Sequence, residues 1–179
     1  GVGSSVVERS SRNHVLDRAR AGVLEWGSVE VLRAAGLNAR MEAEGLVHDG
    51  AALVWGGREA FFIDINRHVG SQFMSYGQTK MQQDLYAAAD LRHAPMVFDA
   101  ANVEVHDPLS DRPSITFNVS GIAERVDADY VVGCDGYHGA ARGAIPDTVL
   151  RTFEKEYPFG WLGIMSETPP LPDLVYANH

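Results

Sequence analysis

Two short extended runs, each finishing on a carboxylate, constrain this chain more than any other feature. Ser5–Glu8 is apolar at its centre and ends on Glu8, and Ala128–Val132 leads into Gly133-Cys134-Asp135-Gly136. A buried strand that delivers an acid at its carboxyl end puts it where open α/β sheets bind ligands. Gly1 and Gly3 are not a dinucleotide-binding glycine loop, because no strand precedes them and a strand-like run follows where a helix is needed. Gly1 reads instead as the tail of a helix–strand connection, and Ser5–Glu8 as the second strand of a nucleotide-binding βαβ unit. In that unit the acid closing the second strand accepts hydrogen bonds from ribose hydroxyls, a role Glu8 fits. The alternative for Glu8 is an exposed charged pair with Arg9 at a strand end. Asp135-Gly136 taken alone is a common turn.

The rest of the chain alternates helical and extended patterns. Arg9–Arg20 is polar and basic, with arginines at 9, 12, 18 and 20. It suits either forked contacts to a phosphate or a solvated loop. Gly22–Ala35 reads as a helix with Val23, Leu24, Val31 and Leu32 on one face and Gly36 as its stop. Ala51–Trp55 and Ala60–Ile65 flank Gly56-Gly57, a hairpin signal. Thr79 is the expected cap of a helix over Lys80–Ala89. Val97 opens an extended region, and Asn102–His106 with Ser114–Val119 predict a second hairpin. Ala128–Val132 predicts a short buried strand, and Gly139–Ile145 a helical turn or two stopped by Pro146. Phe159–Ser166 reads as a strand, Thr168–Pro172 as a rigid stretch, and the chain halts at His179 without a closing element. The order predicts an α/β fold, in the sense of a mixed α+β one.

Composition excludes several classes of function. Apolar residues make up 45% of 179, enough to bury a core. No apolar run approaches the roughly 20 residues needed to cross a bilayer. The formal charge of −9, without a dense basic cluster, argues against nucleic acid as a partner. The single cysteine, Cys134, rules out an internal disulfide and a thiolate metal cage. Cys134 reads as a small strand residue rather than a nucleophile. Seven histidines are present without paired-ligand spacing, so no metal site is expected. No signal peptide is evident at the N-terminus, which points to the cytoplasm.

Seven motifs, in register, resemble one family. Arg18-Ala19-Arg20-Ala21-Gly22-Val23-Leu24-Glu25, Gly45-Leu46-Val47-His48, Tyr76-Gly77-Gln78-Thr79 and Gly133-Cys134-Asp135-Gly136-Tyr137-His138-Gly139 come first. Arg142, Tyr157–Gly163 and Tyr176-Ala177-Asn178-His179 continue the match, with one apparent residue fewer near Pro172. Together they resemble the flavin-dependent aromatic hydroxylases, and Tyr137-His138-Gly139 favours the branch that acts on 4-hydroxybenzoate.

The resemblance implies an FAD- and NAD(P)-binding Rossmann-like domain with β-hairpins over residues 1–157, its first βα element missing. The start of a substrate-binding domain would occupy 158–179. It further implies that Glu8 binds the adenosine ribose of FAD and that Arg20 faces the diphosphate. Gly22 and Val23 would lie along the flavin, Gln78 would bond the cofactor chain, and Asp135 and Gly136 would serve FAD and the nicotinamide together. Arg9, Arg18, His138 and Arg142 match NADPH-binding positions. Arg12 and Asp17 depart from the family pattern in the stretch that reads the nicotinamide's adenosine end, which leaves NADH open. His48 and Tyr176 correspond to two members of a proton relay that ionises a phenol. A phenolate is a far better nucleophile than a phenol, and imidazole ionises near neutrality, which suits it to exchange that proton with solvent. Read without the resemblance, His48 is a satisfied surface histidine and Tyr176 an interface or core tyrosine. The implied reaction hydroxylates a small aromatic acid beside its phenol with O2, in a homodimeric parent enzyme. The expected glycine loop ahead of Gly1 and a C-terminal half are both absent from the sequence, so the chain alone is expected to bind FAD poorly and to turn over no substrate. The alternatives are a related hydroxylase acting on another phenol and a non-catalytic truncated product.

Overall fold

The computed structural model describes residues 2–18, 20–164, 166–169 and 173–178. The connection expected at Gly1, residues 170–172 of the stretch expected to be rigid, and the terminal His179 lie outside the described residues. From the N-terminus, β1 (Val6–Val7) and α1 (Arg12–Asp17) are followed by β2 (Val23–Glu25), α2 (Trp26–Ala34) and α3 (Ala39–Glu44). Then come β3 (Leu46–His48), β4 (Gly50–Trp55), β5 (Phe61–Asp64), α4 (Ile65–Val69), β6 (Phe73–Ser75) and α5 (Gln78–Leu91). The chain continues through β7 (Met96–Val97), β8 (Ala101–His106), β9 (Ser114–Val119), β10 (Ile122–Asp127), α6 (Ala140–Gly143) and β11 (Leu174–Asn178). The fold is the mixed α/β one that the pattern of elements predicts.

Two compact units divide the chain, the first holding residues 1–15 and 95–163 and the second 16–94 and 164–179. In the first, β1 runs parallel to β7, with Val6 opposite Met96 and Val7 opposite Val97. The Glu8 N–H donates to the Val97 carbonyl at 2.8 Å, and the Ala100 N–H donates to the Glu8 carbonyl at 3.1 Å. Beside this pair lies an antiparallel meander in the order β10-β9-β8. Its β8–β9 hairpin matches the sequence reading. Its third strand, β10, is an addition, entered through Ser120 and Gly121 at φ +51° and +82°. Both central residues then have the left-handed conformation that a two-residue hairpin turn requires.

The second unit contains two three-stranded sheets, β2-β6-β3 and β11-β4-β5. The predicted β4–β5 hairpin is present, turning through Gly56 and Gly57 at φ +52° and +72°. Its core gathers Leu24, Val29, Leu32, Met41, Met74 and Tyr76, with Trp26, Leu37, Met81 and Leu85 packed around them. Val29 and Met41 are fully enclosed, and burying side chains of this size contributes about 1.5–3 kcal/mol each.

Four expectations need correction. Residues 23–25 are a strand, not the first turn of a helix, because Val23 pairs with Ser75 and Leu24 with Met74 across β6. The helix begins only at Trp26, and Val31 faces solvent instead of the core. The fourteen-residue α5 starts at Gln78, so its cap is Gly77 and not Thr79. Ala128–Val132 forms no strand, and Tyr130 and Val132 are exposed. A strand needs a neighbour to satisfy its backbone, and no described residue supplies a ladder to this run. For the same reason the described part of Phe159–Ser166 stays extended but unpaired, leaving Trp161 and Leu162 in solvent.

Candidate functional site

The candidate residues fall into three local groups. The first is at the end of β1. Here the Glu8 carboxylate is half-buried, and its Oε1 accepts a hydrogen bond from the Ser10 N–H at 2.8 Å. Val97 of β7 fixes the Glu8 N–H and Ala100, beyond that strand, its carbonyl, so the acid leaves the strand in a defined direction. Arg9, next in the chain, is exposed.

The Asp135 turn forms the second group, and Asp135 does not end a strand, contrary to expectation. Instead its Oδ2 accepts from the Ala141 N–H at 2.9 Å, which caps the short α6. Glycine is needed beside it. A Cβ at position 139 would stand 1.9 Å from the Asp135 Cγ, so only a bare backbone admits the carboxylate. Gly136 turns the chain at φ +73°. Tyr137 projects from this turn, with the Arg142 guanidinium 4.5 Å above its ring and the His138 ring edge-on at 4.9 Å. Arg142 also donates to Thr152 Oγ1 at 3.3 Å. Of the four expected nicotinamide-side residues, His138 and Arg142 are therefore brought together around Tyr137. Arg9 and Arg18 are not joined to them by any contact among the described residues.

The third group surrounds β6. Gly22 packs against the turn that follows this strand: its carbonyl accepts from the Tyr76 N–H at 2.7 Å. A Cβ there would lie 2.7 Å from the Tyr76 carbonyl oxygen. Val23 sits opposite Ser75, half-exposed, and Gln78 opens α5 two residues after Tyr76. Gly22, Val23 and Gln78 thus converge on one turn. Arg20 is exposed just before this turn, and Arg18 is exposed just past α1.

His48 lies at the end of β3, opposite Phe73, and is only 5% exposed. It is not the surface histidine that the local sequence suggests. Its ring stacks on Phe73 at 5.1 Å and 22°, and its Nε2 is 3.0 Å from Ser75 Oγ. Its Nδ1 is buried with no hydrogen-bond partner among the described residues. Tyr176 stands on β11 opposite Leu53 of β4 and is 60% exposed. No contact among the described residues joins Tyr176 to His48.

Sequence reasoning missed Phe73, Ser75 and Asp84. Phe73 and Ser75 alternate on β6, so a period of two would have put both on the His48 side of the sheet. The Tyr76 hydroxyl donates to Asp84 Oδ2 at 3.1 Å, and Asp84 is also paired with Arg40 at 2.8 Å. Burial, then the bond to Asp84, pushes the Tyr76 phenol up to about 12. Tyr76 is therefore a fixed structural donor beneath the Gly22 turn.

A carboxylate closing a parallel strand in one unit, and a glycine-tight turn at the start of a long helix in the other, are features of nucleotide-cofactor-binding α/β proteins. The model of the FAD-binding domain family matches residues 1–179, and the chain belongs to that family. It is 36% identical over 180 residues to the p-hydroxybenzoate hydroxylase of Acinetobacter baylyi, covering 99% of this chain. The chain spans 44% of that relative's length. Among solved structures it is similar to the p-nitrophenol 4-monooxygenase PnpA of Pseudomonas putida, with a TM-score of 0.62 and 19% identity over 80% of this chain and 37% of that one. It is also similar to the flavin-dependent monooxygenase PieE, with a TM-score of 0.57 and 17% identity over 79% of this chain and 27% of that one. These two likenesses show a shared fold.

Taken separately, Glu8 in the first unit carries a carboxylate of the kind that accepts from vicinal hydroxyls, and Arg20 and Gln78 in the second carry a guanidinium and an amide of the kind that meet a diphosphate. Among the described residues, no helix is long and apolar enough to cross a membrane, and no three His, Cys, Asp or Glu side chains group to hold a metal.

Proposed function

We propose that this chain is the FAD-binding part of a flavin monooxygenase that hydroxylates a 4-hydroxybenzoate-like acid ortho to its phenol, using NAD(P)H and O2. The observation that carries this reading is the 36% identity to a p-hydroxybenzoate hydroxylase across 99% of the chain. In this reading residues 1–157 belong to the cofactor-binding part, and 158–179 open the substrate-binding part. Glu8 would hold the adenosine ribose, Arg20 the diphosphate, and Gly22, Val23 and Gln78 the flavin end. Asp135 and Gly136 would shape the turn that serves both cofactors, with Arg9, Arg18, His138 and Arg142 for the nicotinamide nucleotide. Bound FAD supplies the redox chemistry and the activation of oxygen.

The protein's own part in catalysis is the proton. Tyr176 would accept a hydrogen bond from the substrate phenol, and His48 would pass the released proton to solvent. The expected result is that His48→Asn in the full-length gene product lowers hydroxylation of 4-hydroxybenzoate by about 100-fold, the scale of a lost proton-transfer group. Oxygen uptake and product formation at saturating substrate measure it. Wild-type activity in that variant would remove His48 from the relay. Oxygen uptake with other phenols but not 4-hydroxybenzoate would move the substrate assignment to a related acceptor.

A further inference from the structure

We propose that Ser75 is a positioning residue that holds His48 in the Nε2–H tautomer, leaving Nδ1 as the atom through which protons enter and leave. The inference rests on the reading of His48 as the relay histidine and adds the residue that orients it.

The geometry restricts the ring on every side. Phe73 stacks on its face at 5.1 Å, and Ser75 Oγ meets Nε2 at 3.0 Å. Ser75 cannot drift, because β6 is paired on both edges and Ser75 lies opposite Val23 on one side and Leu46 on the other. Nδ1 is buried and has no partner among the described residues. Two neutral tautomers satisfy the Ser75 contact. If the hydroxyl donates to Nε2, then Nδ1 carries a hydrogen that points at nothing. Among backbone groups, orphaned buried N–H donors are rarer than under-satisfied carbonyls, and we carry that preference over to the ring. If Nε2–H donates to the hydroxyl, Nδ1 keeps an open lone pair, and that arrangement is the one the packing favours. An arriving proton then adds to the Nδ1 lone pair and gives an imidazolium whose Nε2–H still bonds Ser75. The proton leaves from the same Nδ1, and no bond to Ser75 is made or broken.

The experiment uses the full-length protein labelled with 15N-histidine, at alkaline pH where imidazole is neutral. Long-range 1H–15N correlations of the ring report the tautomer. Wild type is expected to show a pyridine-like Nδ1 and a pyrrole-like Nε2 for His48. Ser75→Thr, which keeps the hydroxyl, should preserve that pattern. Ser75→Val, its hydroxyl-free isostere, should draw the two nitrogen shifts together. A wild-type pattern in the valine variant, or a pyrrole-like Nδ1 in the wild type, overturns the proposal. If branching alone disturbs the ring in both variants, Ser75→Ala decides: averaged shifts support the proposal and a wild-type pattern overturns it. The relay reading fails separately, through unchanged hydroxylation by His48→Asn.

Discussion

Gly139 leaves no space for a side chain, because the carboxyl group of Asp135 occupies the place a Cβ would take. Gly139→Ala must push Asp135 away from the Ala141 N–H it caps. Overpacking of this kind costs about 1–3 kcal/mol. The expected readout is faster hydrogen exchange at Ala141 and Arg142 with the β8–β10 meander unaffected; unchanged exchange would contradict the packing. The Asp135-Gly136 pair was visible in the sequence as a turn. Its tie to Ala141 was not, because a hydrogen bond spanning six residues leaves no periodic trace. His48 shows the reverse limit. Its flanks, Val47 and Asp49, suggest a surface position, and only the pairing of β3 with β6 reveals its burial.

At the scale of elements, β6 and α5 organise the second unit, and Tyr76 joins them. Its phenol is raised from an ordinary 10.0 to about 12 by burial and by Asp84. Between those values the unfolded chain loses the phenol proton while the folded chain keeps it. The folded state then binds more protons, so stability is fully present below about pH 10 and declines as the pH rises toward 12. Tyr76→Phe should flatten this decline, at a cost of about 1 kcal/mol near neutrality for the lost hydrogen bond. Denaturant midpoints measured across that range test it, and an equally steep decline in the variant would contradict it. The elements that were legible are those fixed locally. Gly56-Gly57 announces its hairpin because both positions take positive φ. The elements misread are those decided by distant partners. β2 hides inside a helical apolar period until β6 claims it, and residues 128–132 have strand composition without a described neighbour to pair with.

For the whole molecule, membership of the FAD-binding domain family is what the sequence and the fold share. The family match spans the chain, and 36% identity extends the likeness to a p-hydroxybenzoate hydroxylase. Much of this was legible because the motifs that carry the likeness are short and contiguous, as in Arg18–Glu25 and Tyr76–Thr79. Their convergence on one turn was not, since it depends on the antiparallel register of β2 and β6. The most direct measurement is a flavin titration of the full-length gene product and its Glu8→Ala variant, once with FAD and once with FMN, which lacks the adenosine. Hydrogen bonds to a charged group contribute about 1.5–3 kcal/mol, so the variant should bind FAD about 10- to 100-fold more weakly. Its affinity for FMN should stay at the wild-type level, which also shows that the fold is intact. FAD binding by Glu8→Ala as tight as wild type would contradict the account.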